Sequence, residues 1–399
     1  MTELAYVTAD PGRIDDIAYL ISHAFGSRLD DAAEWVKATA LSDFRCVTHA
    51  SRTLGTVLHI PMGMFFGGRP VPCTGIAGVA IAPDARGQGV ARRMMHEVVR
   101  EIAEQGVALS GLYSAMHPLY HGCGYETAGS RFEYRVPLYL FPGVVKQPGA
   151  RPARAEDRPA IEKLASAYAA MHPGHLLRGP YIWRRIERPR GSDAEAAAFV
   201  FDDPSQPDQL EAVIYTMLQR NAQAGTEITL RIPDIAAISP SGWRRAASFL
   251  RGSASIPTHA VFYGGPAHPL LGLLTDRRYT TTLTDHWMLR IINAPSAIAQ
   301  RGFAPGVSIA VEMVIDDDLL ELNRGGWRLL VADGRGTLER ASADATAARM
   351  NIRALAPLYS GFRSAAQLAM LGMIEADART VAALDAAFAG PYPSTPDFY

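Results

Sequence analysis

The sequence predicts a mixed α/β (α+β) protein in which two related units are followed by a third, C-terminal domain. A short apolar strand, a glycine-rich turn and an amphipathic helix follow one another within residues 78–103. Strands and helices alternate again after a segment rich in proline and glycine at 141–155. The 399 residues exceed what one core usually serves, so we expect domains at 1–145, 146–285 and 286–399.

In the first unit, strands are predicted at 4–7, 46–48, 56–60 and 79–81, and residues 69–72 are interpreted as a turn. Two helices near the N-terminus are predicted from apolar spacing that includes Ile17, Leu20, Ile21 and Trp35. A third helix begins at Val90, because apolar residues recur every four positions as Val90, Met94, Val98 and Ile102.

The turn at 86–89, Arg-Gly-Gln-Gly, predicts an anion site. Its glycines let backbone N–H groups approach a ligand closely, and the helix that follows offers unpaired N–H groups and a favourable dipole. A pyrophosphate fits such a site. A Rossmann dinucleotide turn is the alternative, although there the glycines follow the strand directly.

In the second unit, a helix carries Ile161, Leu164 and Tyr168, and strands are predicted near 197–202, 211–217 and 226–231. If the second unit repeats the first, residues 235–243 correspond to residues 79–83, and they too lead into a helix, predicted at 244–249. The glycine pair is missing, and Trp243 is expected to block a pyrophosphate. We interpret this unit as a copy that has lost its cofactor site, with an unrelated α/β domain as the alternative.

The third unit is predicted to contain strands at 286–292, 307–315, 326–331 and 335–340 and helices at 354–360, 364–371 and 376–388. Residues 390–399 contain three prolines and are expected to be extended and stiff, so they can reach another domain. The run Asp316-Asp317-Asp318 lacks the alternating ligands of a calcium loop and is interpreted as a solvated loop.

Composition limits the function classes. The net charge of −1 implies no general attraction to nucleic acid or anionic membranes. The chain has no run of about 18 apolar residues and no signal peptide at its start, so we expect no membrane span and a cytoplasmic location, with signal-peptide-independent secretion left open. Cys46, Cys73 and Cys123 lack zinc-site spacing, which favours a reducing compartment and no metal.

The stretch from Val79 to Ala91 resembles the acetyl-CoA signature of GCN5-related N-acetyltransferases (GNAT), in which Arg86, Gly89 and Ala91 fill the motif positions. The resemblance implies that the strand pairs with pantetheine and that the turn holds the pyrophosphate. It assigns cofactor binding to Val79, Ala80, Ile81, Arg86, Gly87, Gln88, Gly89, Val90, Ala91, Arg92, Ala115 and Met116. It also implies a tyrosine acid, with Tyr120 as the candidate and Tyr125 interpreted as a core residue.

Over nearly its whole length, the chain is similar to the Eis (enhanced intracellular survival) family. The matching motifs lie at 79–89, 120–125, 176–178, 287–295, 333–335 and 384–388. The resemblance implies an active GNAT domain, a degenerate one and a domain of sterol-carrier-protein type, usually in a hexamer. Its characterised members use acetyl-CoA to acetylate amines of aminoglycosides, and some acetylate lysine side chains.

The same resemblance implies Tyr120 as general acid, the α-carboxylate of Tyr399 as general base, and Phe25, Trp35 and Phe398 as substrate-binding residues. His117 and His121 are the alternative bases. Two acidic positions of the aminoglycoside-modifying members are Ser27 and Phe398 here, which weakens the case for polycationic substrates. A lipid or sterol carrier and a non-catalytic CoA-binding regulator are the alternative functions.

Overall fold

The computed structural model describes residues 4–143, 149–190, 194–220, 227–342 and 347–399. The predicted boundary at 145/146 and part of the predicted linker at 141–155 lie outside these residues. None of the described helices is long and apolar enough to cross a membrane.

The N-terminal part of the chain forms a mixed sheet, mostly antiparallel, that carries helices on its faces. Its strands are β1 (Ala5–Thr8), β2 (Phe44–His49), β3 (Arg52–Phe66), β4 (Arg69–Ile81), β5 (Leu109–Tyr113) and β6 (Glu126–Pro137). Its helices are α1 (Ile14–Phe25), α2 (Leu29–Lys37), α3 (Val90–Glu104) and α4 (His117–His121). The predicted stripe of α3 is confirmed, because all four of its residues are buried.

The prediction of a turn at 69–72 is wrong, since β4 begins at Arg69 and the turn is formed by Gly67 and Gly68. Both glycines have positive φ, which suits a two-residue hairpin. β4 pairs with β5 only from Cys73 onward, so the edge of β4 that faces β5 is unpaired at Pro70 and Pro72. These prolines, which have no backbone N–H, therefore interrupt no hydrogen bonds along that edge.

The middle part repeats the alternation of strands and helices. Its strands are β7 (Ala150–Pro152), β8 (Leu176–Leu177), β9 (Ala197–Asp203), β10 (Gln206–Arg220), β11 (Ile228–Ala237) and β12 (His259–Gly264). Its helices are α5 (Arg158–Ala170), α6 (Pro180–Glu187) and α7 (Pro240–Gly252). The predicted start of the last helix at 244 is wrong: α7 begins four residues earlier because Pro240 suits the first turn and the Ser239 side chain caps it.

The C-terminal part begins with a long strand and continues as a small sheet covered by helices. Its strands are β13 (Thr280–Ile291), β14 (Ile309–Asp316), β15 (Gly325–Ala332), β16 (Arg335–Arg340), β17 (Ala348–Asn351) and β18 (Ile374–Glu375). Its helices are α8 (Ala294–Gln300), α9 (Ile352–Ser360), α10 (Ala365–Met370) and α11 (Ala378–Phe388). The small sheet has the order β16-β15-β14-β17-β18.

One large sheet joins the first two parts. Its order is β1-β2-β3-β4-β5-β13-β6-β12-β11-β10-β9-β7, with β8 paired to β3. β13 therefore lies between β5 and β6, and β6 continues into the second half through β12. The predicted boundary at 285/286 falls within β13, whose residues from Trp287 to Ile291 are buried. The two halves thus share a continuous backbone ladder.

The interpretation of residues 316–318 as a solvated loop is wrong for Asp317. This carboxylate is 2% exposed and accepts hydrogen bonds from Arg290 Nη2 at 2.7 and 2.8 Å. Asn323 Nδ2 donates to it at 2.9 Å. Because Arg290 lies on β13, this buried ion pair ties the small sheet to the large one.

Candidate active site

The structure has a gap in the large sheet where β4 and β5 separate. Their parallel pairing ends at Ile76 opposite Leu112, while β4 continues alone on that side to Ile81. β4 also carries one extra residue relative to β3, because Thr56 pairs with Ala80 but Leu58 pairs with Ala77. Such a bulge re-aims main-chain groups, so the free edge at Val79, Ala80 and Ile81 can pair with an extended ligand.

Close packing fixes this bulge. Gly78 has a φ of 56°, and a Cβ atom there would lie 2.9 Å from Cη2 of Trp35. The indole Nε1 of Trp35 donates to Tyr181 Oη at 3.2 Å, and its ring meets the Phe44 ring edge-on at 5.4 Å. Trp35 therefore supports the bulge from behind, in addition to its predicted substrate role.

The predicted anion turn lies beside the gap. Gly87 and Gly89 have φ of 74° and 79°, and a Cβ atom built at either would meet nothing within 4 Å. The first N–H groups of α3, from Val90 to Arg92, have no partner inside the helix. The first turn of this fully described helix carries no acidic residue, while Arg86 and Arg92 are exposed beside it. These residues fit a pyrophosphate.

The two candidate tyrosines have different surroundings. Tyr125 is fully buried, and its hydroxyl lies 2.8 Å from Ser110 Oγ, which itself donates to the Thr74 carbonyl at 2.9 Å. Tyr125 therefore donates its proton within the core. Tyr120 lies on α4 just after β5, and burial raises its pKa to about 12. Its phenol is protonated at neutral pH, as an acid must be.

The C-terminal tail is docked by a buried group of charges. Arg178 donates through Nη1 and Nη2 to Asp234, both at 2.7 Å, and through Nε to Asp397 at 3.1 Å. Burial raises the pKa of the Asp397 carboxyl. Arg131 Nε donates to the Pro396 carbonyl at 3.0 Å. The tail therefore contacts residues of both the N-terminal and the middle parts of the chain.

The chain end lies where β4 and β5 are last paired. A Cβ atom on Gly75 would be 3.0 Å from Cε2 of Tyr399, and one on Gly111 would be 3.0 Å from its Oη. Tyr113, the last residue of β5, donates to the Asp397 carbonyl at 2.6 Å, and its ring centroid is 4.6 Å from that of Phe398. The structure thus brings Phe398 and Tyr399 to the base of the gap.

The phenol of Tyr399 is not a base. It is buried, has no hydrogen-bond partner among the described residues, and burial raises its pKa well above the usual value. The group at this chain end that can accept a proton is the α-carboxylate.

The alternative bases lie on α4 and share one carboxylate. The Nε2 atom of His121 is 3.4 Å from Glu126 Oε2, and that of His117 is 3.9 Å from Oε1. Their rings stack at 5.5 Å. Burial lowers the pKa of His121.

Three further predicted site residues, Phe25, Ala115 and Met116, are exposed. Phe25, at the end of α1, is 43% exposed, and the Arg190 guanidinium lies 5.8 Å from its ring centroid. Ala115 and Met116 follow β5 and are exposed. Sequence reasoning missed Tyr113 and Tyr181, because each acts through a contact with a distant segment that carries no local signal.

The start of α7, the counterpart of the anion turn, differs from the start of α3. The Trp243 ring in the first turn of α7 packs against Tyr168 at 5.6 Å and His268 at 5.7 Å, and its predicted blocking of a pyrophosphate stays a prediction. In addition, the buried carboxylate of Glu211 accepts a hydrogen bond from Ser239 Oγ, the cap of α7, at 2.7 Å, and pairs with Arg245. An internal anion therefore lies at the start of this helix.

Within the described ranges, no group of three or more His, Cys, Asp or Glu residues is arranged to hold a metal ion. The three cysteines are buried and free.

Comparison with known proteins agrees with this architecture. Residues 6–128 and 174–291 match acetyltransferase (GNAT) domain families, and residues 294–396 match a sterol carrier protein domain family. The chain is 28% identical over 368 residues to N-acetyltransferase Eis of Mycobacterium tuberculosis, covering 86% of this chain and 85% of the relative.

Two solved GCN5-related N-acetyltransferases are similar over the whole chain. That of Anabaena variabilis has a TM-score of 0.93 at 27% identity and full coverage of both chains. That of Kribbella flavida has a TM-score of 0.85 at 27% identity, covering 100% of this chain and 98% of its own. The chain thus contains two GNAT acetyltransferase domains followed by a sterol carrier protein domain, and it is similar to the Eis N-acetyltransferases over most of its length.

Proposed function

We propose that the chain transfers an acetyl group from acetyl-CoA, bound in the gap between β4 and β5, to an amine of a small molecule or to a lysine side chain. The observation that carries the proposal is the combination of a bulged free strand edge with an open, cation-flanked helix start. The strand supplies main-chain partners for pantetheine amides, and the turn from Gly87 to Arg92 supplies N–H groups for the pyrophosphate.

The proposed reaction moves two protons. Bound acetyl-CoA supplies a thioester carbonyl, to which the neutral amine nitrogen bonds while the carbon–sulfur bond breaks. The α-carboxylate of Tyr399 accepts the proton that the amine loses, and the phenol of Tyr120 donates a proton to the departing sulfur. A free α-carboxyl has a pKa of about 3.5 and is a weak base, so we propose that this proton reaches it through a water that the carboxylate orients beside the amine.

The proposed acceptor carries few positive charges. Phe25, Trp35 and Phe398 supply aromatic surface for its apolar parts. Ser27 and Phe398 replace two carboxylates of the aminoglycoside-modifying relatives, and the remaining acids on α2, Asp30, Asp31 and Glu34, are exposed. Exposed carboxylates hold a cation only weakly because water and salt screen them. Small mono- and diamines are therefore favoured over aminoglycosides.

A panel of amines tests the proposal, with release of free CoA thiol as the measurement. Diamines, lysine peptides and aminoglycosides are compared at equal concentration. We expect deletion of Tyr399, or extension of the chain by a C-terminal tag, to lower kcat roughly a hundredfold. CoA binding, followed by the shift in melting temperature, should be retained.

A tag of the same sequence at the N-terminus is the matched control for the extension. Tyr120→Phe should be impaired to a similar degree. If the C-terminally extended protein turns over amines at the normal rate, the α-carboxylate is not the base, and His117 and His121 are tested next. Lipid binding without thiol release from any amine would instead indicate a carrier, and CoA binding without turnover a regulator.

The proposal extends to domain limits and assembly. We assign the active GNAT domain to 1–145, the degenerate one to 146–285, and the sterol-carrier-type domain to 286–399, with the tail completing the active site. A hexamer follows from the family resemblance. Mass photometry of the purified chain should give a species six times the 43.1 kDa monomer mass.

A further inference from the structure

The degenerate half retains the strand separation of the active half. β11 and β12 pair in parallel from Thr229 to Arg231 and then diverge. β11 also carries an extra residue there, because Met217 pairs with Arg231 but Tyr215 pairs with Asp234. The second copy has therefore lost the anion site but kept the bulged free edge that can pair with an extended ligand.

A cavity of about 220 Å³ opens between the two diverging strands. Residues 232–235 of β11 line one side and residues 263–269 line the other. The tail forms a further wall through Pro391, Tyr392, Ser394 and Pro396. This volume is several times the roughly 30 Å³ that one water occupies in the liquid. The cavity is thus large enough for a small organic molecule.

The cavity presents a hydrogen-bond acceptor and a hydrogen-bond donor. His172 Nδ1 lies 2.8 Å from the Tyr168 carbonyl and must donate to it, which leaves Nε2 as an acceptor. His268 Nδ1 accepts from the Leu270 N–H at 3.3 Å, which leaves Nε2–H as a donor. Neither Nε2 atom has a hydrogen-bond partner among the described residues. Burial lowers the pKa of both rings, that of His268 to about 3, so both stay neutral.

Two further buried polar side chains line the cavity without a side-chain hydrogen bond in the described part of the chain. They are Tyr168, 6% exposed, and His175, 5% exposed. Their polar atoms are not among the fully buried atoms that lack a partner, so they keep some contact with solvent in the cavity and can exchange it for a hydrogen bond to a ligand. The carboxylate of Asp234 also lines the cavity, but it is paired with Arg178.

The charges of the second half disfavour a phosphate-bearing ligand. The carboxylate of Glu211 lies where the active half would bind pyrophosphate, at the start of α7. Arg178 is shared by Asp234 and Asp397, so this buried group adds no free positive charge. An uncharged ligand with a donor and an acceptor close together fits both the hydrogen bonds and the charge.

We propose that the cavity between β11 and β12 is a second binding site, and that it takes a small uncharged amide. An amide N–H suits the acceptor His172 and an amide carbonyl suits the donor His268. Two sources share this chemistry: a pantetheine-type arm without its nucleotide, and an N-acetylated amine. Because the tail forms one wall, an occupied cavity also favours the docked tail.

Calorimetric titration of the full-length chain tests the proposal, after excess CoA has been added to occupy the first site. The two arms use pantetheine and N,N′-diacetylcadaverine as probes. Ala267 is an exposed residue of the cavity wall, so Ala267→Trp should narrow the cavity with little effect on folding. Met370→Trp, at a side chain that is 89% exposed, is the matched control.

We expect at least one probe to bind with a stoichiometry near one, and Ala267→Trp to weaken it at least tenfold while Met370→Trp does not. His172→Phe, which keeps the ring but removes the acceptor, should also weaken binding. The same probe should slow release of Tyr399 by a carboxypeptidase in the unmodified chain and not in Ala267→Trp. Binding of neither probe, or equal binding by the two tryptophan variants, would overturn the proposal.

Discussion

Replacing Asp397 with asparagine tests how strongly the tail is held. The carboxylate is buried, and it accepts from Arg178 Nε at 3.1 Å through both oxygens. Asparagine keeps the shape and one acceptor but removes the charge. Since Arg178 keeps its second partner, Asp234, the change leaves no uncompensated buried charge.

The expected cost follows from this arrangement. Breaking a buried pair outright costs about 3–5 kcal/mol, which here is an upper bound because Arg178 remains paired. Hydrogen bonds to charged groups contribute about 1.5–3 kcal/mol each, so we expect a loss of that size. Because about 1.4 kcal/mol corresponds to a tenfold change in an equilibrium constant, the undocked state of the tail should become roughly 10 to 150 times more populated.

Release of Tyr399 by a carboxypeptidase measures that population, provided that the tail opens and closes faster than cleavage. The rate should rise at least tenfold in Asp397→Asn. Asp318→Asn is the matched control, because Asp318 is exposed. An unchanged release rate in Asp397→Asn would show that the charged group does not hold the tail, and the reasoning would fail.

Three further predictions concern the cofactor turn, the effect of pH and the internal anion. Gly89→Glu should weaken CoA binding at least tenfold by calorimetry, whereas Gly106→Glu, which has a similar positive φ at the other end of α3, should not. Burial lowers the pKa of His59 to about 4, despite nearby Glu101. The buried neutral imidazole therefore contributes fully to stability above about pH 6.5, and this contribution is lost as the pH falls toward 4. The free energy of unfolding, measured by urea titration, should therefore decrease as the pH is lowered from about 6.5 to 4. His59→Gln should make this dependence of the unfolding free energy on pH less steep, by up to about 1.4 kcal/mol per pH unit. Glu211→Gln should leave thiol release unchanged but lower the melting temperature, because Arg245 loses a buried partner; a large loss of activity with normal stability would contradict this.

Local pattern predicted the elements that depend on nearby residues. The stripe from Val90 to Ile102 specifies α3, and its burial follows from four-residue spacing. The prediction of a turn at 69–72 is wrong because proline, a common turn residue, is also tolerated in a strand where its side of the strand is unpaired. The burial of Asp317 is not predictable from local pattern, because its partner Arg290 is 27 residues away in the sequence.

The candidate site was only partly predictable for a similar reason. The strand, the turn and Tyr120 lie within 42 residues of one another, from Val79 to Tyr120, and carry a motif. In contrast, the sheet at the site also contains β13, which lies between β5 and β6 but begins only at Thr280. The tail's contacts with Tyr113 and Arg178 join segments more than 200 residues apart.

These long-range contacts give the middle part of the chain a structural role beside the first site. Tyr181 of the second half hydrogen-bonds Trp35, which packs behind the bulge of β4. Arg178 and Asp234 hold the tail that brings Tyr399 to the end of β5. β13 completes the sheet beside β5. Tyr181, Arg178, Asp234 and β13 all lie outside residues 1–145, so later parts of the chain help to support the first site even though Glu211 lies at the start of α7.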